Sequence, residues 1–166
     1  MGCNKKMALI SEEMNKALNN QIKEELESGY LYLGMSYWFE ERSFHNLAQW
    51  YYAQAQEEYV HAKKFMDYII ETGGTVELQA MKKPKSDWKN FKEILEAGLA
   101  HEKFITSKIE ELWKLMEKLG ELQPRSLLTW FIDEQIEEEA NAQELLDTYE
   151  GFKNDQLFDH HTHRAE

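Results

Sequence analysis

Four long segments with helical spacing constrain this chain more than any other feature. Apolar residues recur every three or four positions through each segment, which predicts amphipathic α-helices. The predicted helices span about 11–42, 44–72, 87–119 and 124–150. At 1.5 Å per residue, each would be roughly 40–50 Å long. The chain is therefore predicted to be all-α, a four-helix bundle in one domain covering residues 1–166.

Polar residues, glycines and prolines mark the ends of these helices. The predicted end signals are an N-cap at Ser11, a break near Ser43, the pair Gly73 and Gly74, an N-cap at Ser86 or Asp87, then Gly120, Pro124 and Gly151. The tail 151–166 is predicted to form a short fifth helix and then fray.

The connector between the second and third helices allows two topologies. Residues 74–86 would stretch roughly 43–47 Å when extended, which is the length of a whole helix. A connector that crosses the bundle would make the second and third helices parallel, whereas a slack connector would leave them antiparallel. The residues alone leave both arrangements open.

A glutamate interrupts the apolar face of every predicted helix. The four are Glu25, Glu58, Glu102 and Glu138. Measured from the helix ends, their heights agree to within about 4–5 Å. We therefore expect four carboxylates to meet near the middle of the bundle, together with His61 and Gln135.

Four buried carboxylates need either protons or cations. A single unpaired buried carboxylate costs several kcal/mol, and like charges raise that cost. Two divalent metal ions would balance the four charges. Oxygen-rich coordination with one imidazole and no thiolate fits iron or manganese better than structural zinc. The competing interpretation is that each glutamate lies at the core boundary and reaches solvent.

The overall composition excludes several classes of protein. The formal net charge is −12, from 31 acidic and 19 basic residues, which argues against nucleic-acid binding. There is no apolar run long enough to span a membrane and no signal-like N-terminus, so a cytoplasmic protein is predicted. The single cysteine, Cys3, excludes an intrachain disulfide and a cysteine-based zinc site.

Around the four glutamates the chain resembles the non-haem ferritins of bacteria and archaea, within the ferritin-like di-iron carboxylate superfamily. The similarity runs from about Glu12 to Tyr149. Its carriers are KEELESGYLYLGMSYW at 23–38, AQEEYVHAKKFMDYI at 55–69, AHEKFITSKI at 100–109 and LTWFIDEQIEEEA at 128–140. The resemblance implies a ferritin-like four-helix bundle with a long crossover between the second and third helices, a short fifth helix, and a cage of about 24 copies of the chain.

The resemblance also implies an activity and its residues. The expected function is iron storage and detoxification, with Fe(II) oxidised by O₂ or peroxide at an intrasubunit di-iron centre and Fe(III) mineral stored in the cage. One iron would be bound by Glu25, Glu58 and His61. The second would be bound by Glu58, Glu102 and Glu138, with Gln135 close by. A third, weaker iron site would use Glu57, Glu134 and Glu137 with Glu138 shared, while Tyr32 and Trp130 would lie beside the centre.

Departures from related families narrow the expectation. Bacterioferritins and rubrerythrins carry a second E-x-x-H motif on the fourth helix, but here Asn141 stands three residues after Glu138. No haem is therefore expected. Two alternatives are a di-iron oxidoreductase or peroxidase that forms no cage, of the rubrerythrin-like class, and a helical interaction module without metal.

Three histidines close to the C-terminus, His160, His161 and His163, form a separate cluster. Metal capture is one interpretation, but we expect a disordered surface tail.

Overall fold

The computed structural model describes residues 8–152 and 154–163, and these contain five α-helices and no strand. The helices are α1 (Glu12–Glu40), α2 (His45–Glu71), α3 (Phe91–Leu119), α4 (Arg125–Gly151) and α5 (Asp155–His161). The prediction of an all-α fold with four long helices and a short fifth is confirmed. Cys3 lies outside the described residues. Within them, no helix combines the length and apolar character that crossing a membrane would require.

Most helix ends follow the predicted signals. Ser11 is the N-cap of α1, and its hydroxyl accepts a hydrogen bond from the backbone N–H of Met14 at 3.1 Å. Gly73 and Gly120 adopt left-handed backbone angles, with φ of 78° and 68°, immediately after α2 and α3. Glycine pays no Cβ penalty in that conformation, which explains why the helices stop there.

The start of α3 differs from the prediction. The helix begins at Phe91 rather than near Asp87, and its N-cap is Asn90. The Asn90 side chain accepts from the backbone N–H of Glu93 at 2.9 Å, while the Glu93 carboxylate accepts from the backbone N–H of Lys89 at 2.7 Å. This reciprocal pair resembles a capping box, because two backbone N–H groups at the start of the helix are satisfied by side chains. The pair fixes the start of α3 at Phe91.

The connector between α2 and α3 runs the length of the bundle along α1. Asn19 accepts from the backbone N–H of Glu77 at 2.6 Å, and further along α1 Glu27 accepts from that of Lys82 at 2.9 Å. The connector thus follows α1 from its first half towards its last turns. It carries the chain to the end of the bundle where α2 begins, so α3 runs parallel to α2.

A polar layer divides the hydrophobic core into two parts. One part gathers Phe39, Tyr51 and Phe91 at the end where α3 begins, and the other gathers Phe65 and Phe131 with neighbours at the opposite end. The predicted polar residues occupy the space between them. The two apolar halves supply most of the burial that holds the helices together.

Helix α5 packs firmly against the bundle. Phe158 is fully buried and contacts the rings of Phe91 and Tyr149. The carboxylate of Asp159 accepts from the backbone N–H of Leu47 at 2.9 Å, in the first turn of α2. The expectation of a disordered tail is therefore wrong as far as Thr162, which is buried. Helix α5 includes His160 and His161, and both are exposed as expected of a surface segment.

Candidate metal centre

The four predicted glutamates are all buried, one on each long helix. Their exposed fractions are 1% for Glu25, 2% for Glu58, 2% for Glu102 and 5% for Glu138. The interpretation in which these residues reach solvent from the core boundary is therefore excluded. The sequence placed them correctly because each one breaks an otherwise apolar helical face.

His61 connects the buried cluster to α4. Its Nδ1 lies 3.5 Å from an oxygen of Glu58, and its Nε2 lies 3.4 Å from an oxygen of Glu134. Among the described residues, two sets of side chains offer ligand atoms within 4.8 Å of one another: Glu25 with Glu58 and His61, and His61 with Glu134 and Glu138. His61 belongs to both sets and so marks the middle of the centre.

Besides Gln135, two further glutamine amides hold carboxylates of the cluster. Gln21 donates to Glu25 at 2.8 Å across one helical turn. Gln54 donates to Glu138 at 2.7 Å, and to Glu58 at 3.4 Å. Neither glutamine was assigned a role from the sequence. The available signal was the spacing of four residues between each glutamine and a core glutamate, which places both side chains on one helix face.

Glu102 is held from two sides. The Gln135 amide donates to its carboxylate at 3.3 Å and to its backbone carbonyl at 3.2 Å. The Tyr32 hydroxyl donates to the other carboxylate oxygen. Gln135 and Tyr32 thus lie where they were predicted to lie, in contact with the cluster.

A glycine allows α1 and α2 to approach closely at this level. A Cβ on Gly29 would lie 3.1 Å from the backbone oxygen of Ala55 and 3.3 Å from the Cβ of Glu58. Both distances are tighter than ordinary van der Waals contact, so a larger residue would push α1 away. The missing side chain keeps Glu25 and Glu58 within reach of each other.

Burial and mutual repulsion favour the protonated forms of these carboxyl groups. Burial raises the pKa of Glu25 and Glu58, and for each the next cause is the charge of neighbouring glutamates. Burial likewise raises the pKa of Glu102 to about 7 and that of Glu138 to about 7. In the described part of the chain, no lysine or arginine pairs with any of the four.

The residues present fit a cation site. One carboxylate oxygen of Glu25 is buried and has no hydrogen-bond partner among the described atoms. Such an atom normally finds a donor, because leaving it unpaired costs about 1–3 kcal/mol. A metal ion would supply that partner and would neutralise the like charges. Carboxylates with one imidazole suit iron or manganese.

The outer acidic residues divide into two groups. Glu134 joins His61 and Glu138, as described above. Glu57 and Glu137 instead line a groove on the flank of α2 and α4, although the charge of Glu57 still contributes to the raised pKa of Glu138. Trp130 packs edge-on against the His61 ring, with centroids 5.6 Å apart.

Comparison with known proteins finds relatives that match most of the chain. The family described as ferritin-like domain matches residues 15–152. The chain is 37% identical to the bacterial non-heme ferritin of Campylobacter jejuni over 139 residues, which cover 84% of this chain and 83% of the relative. It is 36% identical to a probable bacterial non-heme ferritin-like protein of Haemophilus influenzae, covering 84% of each chain.

A solved structure, described as a novel open pore ferritin from the hyperthermophilic archaeon Archaeoglobus fulgidus, has the same fold. It superposes with a TM-score of 0.91 at 34% identity, covering 96% of this chain and 100% of that one. Sequence, fold and family match together show that this chain belongs to the ferritin family.

Proposed function

We propose that this protein stores and detoxifies iron by oxidising Fe(II) at the buried glutamate cluster and holding Fe(III) mineral inside an assembly of its own copies. Family membership supports iron storage in general terms. The observation that carries the oxidation step is the meeting of four buried glutamates and His61 between two apolar halves of the core. O₂ or peroxide is the proposed electron acceptor.

Two iron ions would share the cluster as substrates. Glu25, Glu58 and His61 would hold the first. Glu58, Glu102 and Glu138 would hold the second. Glu58 is the proposed bridge between the two irons. It lies in one ligand set with Glu25 and His61, and the charges of Glu102 and Glu138 also raise its pKa.

The surrounding residues orient the ligands, and the ligands themselves release protons when iron binds. Gln135 and Tyr32 orient Glu102, and Gln54 orients Glu138. Since the pKa of both carboxyl groups is about 7, iron binding at neutral pH would displace part of their protons. The anionic, water-poor pocket would then favour Fe(III) over Fe(II), because the higher charge gains more from four carboxylates.

A third, weaker iron site is proposed at Glu57, Glu134 and Glu137, with Glu138 shared. The contact between Glu134 and His61 supports a link between this outer site and the centre. Glu134→Ala should therefore change the number of irons bound or the turnover, while leaving the first fast oxidation largely intact. Complete loss of fast oxidation in that variant would assign Glu134 to the centre itself.

Self-assembly is supported by an apolar face on α1 and α2. Tyr30, Tyr52, Tyr59 and Val60 are between 44% and 62% exposed, and they surround a shallow groove of about 520 Å³. Contiguous exposed aromatic surface of this kind usually marks a protein interface. A second copy of the chain is the proposed partner, within a closed cage of about 24 subunits.

The deciding experiment adds Fe(II) in air to the purified protein and follows oxidation by stopped-flow absorbance. Wild type should oxidise iron rapidly and retain many irons per assembly on sizing. Glu58→Ala should lose the fast phase, whereas Glu71→Ala, an exposed glutamate of the same helix, should keep it. Fast oxidation in Glu58→Ala would contradict the proposed centre. Rapid oxidation by a monomer or dimer that stores no iron would favour the oxidoreductase alternative.

A further inference from the structure

A series of hydrogen bonds leads from the buried carboxylate of Glu102 to the protein surface. The Gln135 amide nitrogen, which donates to that carboxylate, also donates to the hydroxyl oxygen of Thr106 at 3.3 Å. The Thr106 hydroxyl donates in turn to the carboxylate of Glu139 at 2.5 Å. Glu102 and Gln135 are buried, whereas Thr106 and Glu139 are half-buried. These four residues form the α3–α4 network, which connects the metal centre with the surface.

The spacing of the four residues builds this network into the two helices. Thr106 lies four residues after Glu102 on α3, and Glu139 lies four residues after Gln135 on α4, so each pair shares one helix face. The bonds from Gln135 to Glu102, from Gln135 to Thr106 and from Thr106 to Glu139 all cross between the helices. The position of the Glu102 carboxylate therefore depends on side chains of α4 as well as on its own helix.

The Thr106 hydroxyl sets the direction of these hydrogen bonds. A hydroxyl carries one proton, and that of Thr106 is donated to Glu139. Towards Gln135 the hydroxyl oxygen can therefore only accept, and only the amide nitrogen of Gln135 can donate to it. The same nitrogen then faces Glu102, whose ionised carboxylate is also an acceptor only. Glu139 thus decides which end of the Gln135 amide faces the metal centre.

Without Glu139, the Gln135 amide would no longer be restricted to one orientation. The Thr106 proton would be free to turn towards the amide oxygen, and a flipped amide satisfies that hydrogen bond equally well. The flipped amide, however, directs its oxygen at the Glu102 carboxylate, where two acceptors repel each other. Glu102 would lose its donor and with it a fixed orientation towards a bound ion.

The surroundings of Glu139 favour its bond to Thr106. No ion pair among the described residues includes Glu139. Thr106, Gln135 and Glu139 line a groove of about 520 Å³ between α3 and α4, and most of the other lining residues are apolar: Ile109, Trp113, Ile132 and Ile136. Apolar neighbours lower the local dielectric and so strengthen a hydrogen bond beside them.

We propose that Thr106 and Glu139 are positioning residues of the second iron site, which hold Gln135 with its amide nitrogen towards Glu102. Neither residue touches the ion. Removing a side chain that orients a metal ligand usually lowers metal affinity by about 10–100-fold. The identity of the ion as iron rests on the proposed function, whereas the effect on Glu102 applies to any divalent cation at that site.

Equilibrium titration with Co(II), followed by the visible absorbance of the bound ion, tests this role without any oxidation. Thr106→Val keeps the shape of the side chain but lacks the hydroxyl. It should weaken the Co(II) ion at Glu102 by about tenfold and leave the ion at His61 unchanged. Thr106→Ser, which restores a hydroxyl, should bind both ions as wild type does. This rescue separates loss of the hydrogen bond from a change in packing.

Glu139 is tested by a second pair of variants. Glu139→Ala should weaken the same ion, because the Thr106 proton loses its acceptor. Glu139→Gln should not, because its amide oxygen still accepts that proton. The matched controls are Thr129→Val and Glu110→Ala. The Thr129 hydroxyl donates to the carbonyl of Arg125, and Glu110 lines the same groove outside the α3–α4 network. Both controls should bind Co(II) as wild type does.

Wild-type Co(II) binding in Thr106→Val or Glu139→Ala would overturn the proposal. Equal weakening of both ions, failure of Thr106→Ser or Glu139→Gln to restore binding, or absence of Co(II) binding in wild type would overturn it as well.

The oxidation of Fe(II) provides a kinetic test of the same role. Thr106→Val should oxidise Fe(II) several-fold more slowly at low iron, and the rate should recover at saturating iron. An unchanged rate at low iron would overturn the role of Thr106 towards iron. If wild type oxidised no iron at all, the proposed function would fail, while the Co(II) titration would still decide whether Thr106 and Glu139 position Glu102.

Discussion

Glu58 is a buried carboxyl group that lies among other buried glutamates. Burial is the largest cause of its raised pKa, and the charges of Glu102 and Glu138 raise the pKa further. The nearest cationic candidate is His61, at 3.5 Å. The residue is therefore placed for binding a cation, and without one it must either bind a proton or carry an unfavourable buried charge.

Replacing Glu58 with alanine should leave the free energy of unfolding of the metal-free protein unchanged or higher. Removing one carboxyl group relieves the repulsion between the clustered glutamates. This gain offsets the cost of the cavity left behind, about 1–3 kcal/mol, and water can partly fill that cavity. The measurement is thermal or denaturant unfolding of metal-free protein, with Glu71→Ala as the control. A loss of about 3–5 kcal/mol would instead show that Glu58 is held by an ionic partner and serves as scaffold.

The raised pKa values of Glu102 and Glu138 predict an unusual pH dependence of stability. Each carboxyl group has a pKa of 4.5 in the unfolded chain and about 7 in the folded one. Between these values the folded state binds more protons, so the stability present below pH 4.5 is lost as the pH rises towards about 7. For Glu138 alone the full change is on the order of 3 kcal/mol.

Unfolding of the metal-free protein at several pH values between 4.5 and 8 measures this effect. Glu138→Gln should flatten the decline, because the amide stays neutral while keeping the shape of the side chain. Glu110→Gln on the exposed face of α3 should not change the slope. If the slope persisted in Glu138→Gln, other groups would be its cause.

Prediction from sequence succeeded for those site residues whose signal is local. Glu25 and Glu102 each stand on an apolar helical face, and that contrast is visible without any structure. Gln21 gave no such contrast, because a glutamine one turn from a glutamate is common on exposed helices. Its burial depends on how α1 is rotated against its neighbours, which tertiary packing decides.

At the level of helices, the start of α2 depends on a residue far along the chain. Phe44 occupies the N-cap position and provides no side-chain hydrogen bond. The carboxylate of Asp159, from α5, accepts the backbone N–H of Leu47 instead. A carboxylate at a helix N-terminus also interacts favourably with the helix dipole. This long-range cap explains why the sequence around Phe44 predicted only a break, and why local patterns did not show that α5 is held against the start of α2.

Asp159→Ala should lower the free energy of unfolding by about 1 kcal/mol, the usual effect of losing a helix cap. It should also loosen α5, which amide hydrogen exchange around Phe158 and Thr162 would detect. Asp67→Ala, which removes an exposed ion pair with Lys63, should have a smaller effect on stability and none on exchange in α5. Unchanged protection of α5 in Asp159→Ala would mean that apolar burial alone holds this helix.

Over the whole molecule, the connector decides the topology that brings the four glutamates to one level. Composition and spacing left its path open, because both a crossing and a slack connector satisfy the chain length. Side chains of α1, including Asn19 and Glu27, bind the connector backbone along the bundle. These contacts pair residues about 55 positions apart, and local sequence patterns do not reveal them.

The apolar face on α1 and α2 makes assembly the property to test at this scale. Tyr59 is 62% exposed and Val60 is 55% exposed, at neighbouring positions of α2 that carry no charge. Wild type should sediment at neutral pH as a closed assembly of about 24 subunits, because burying this face removes aromatic surface from water.

Tyr59→Glu should shift the population to smaller species, because a buried unpaired carboxylate is costly. The helical content of the Tyr59→Glu variant should remain that of wild type. Gln143→Glu, which adds the same charge to an exposed position of α4, is the control. Sedimentation of wild type only as monomer or dimer would contradict the cage.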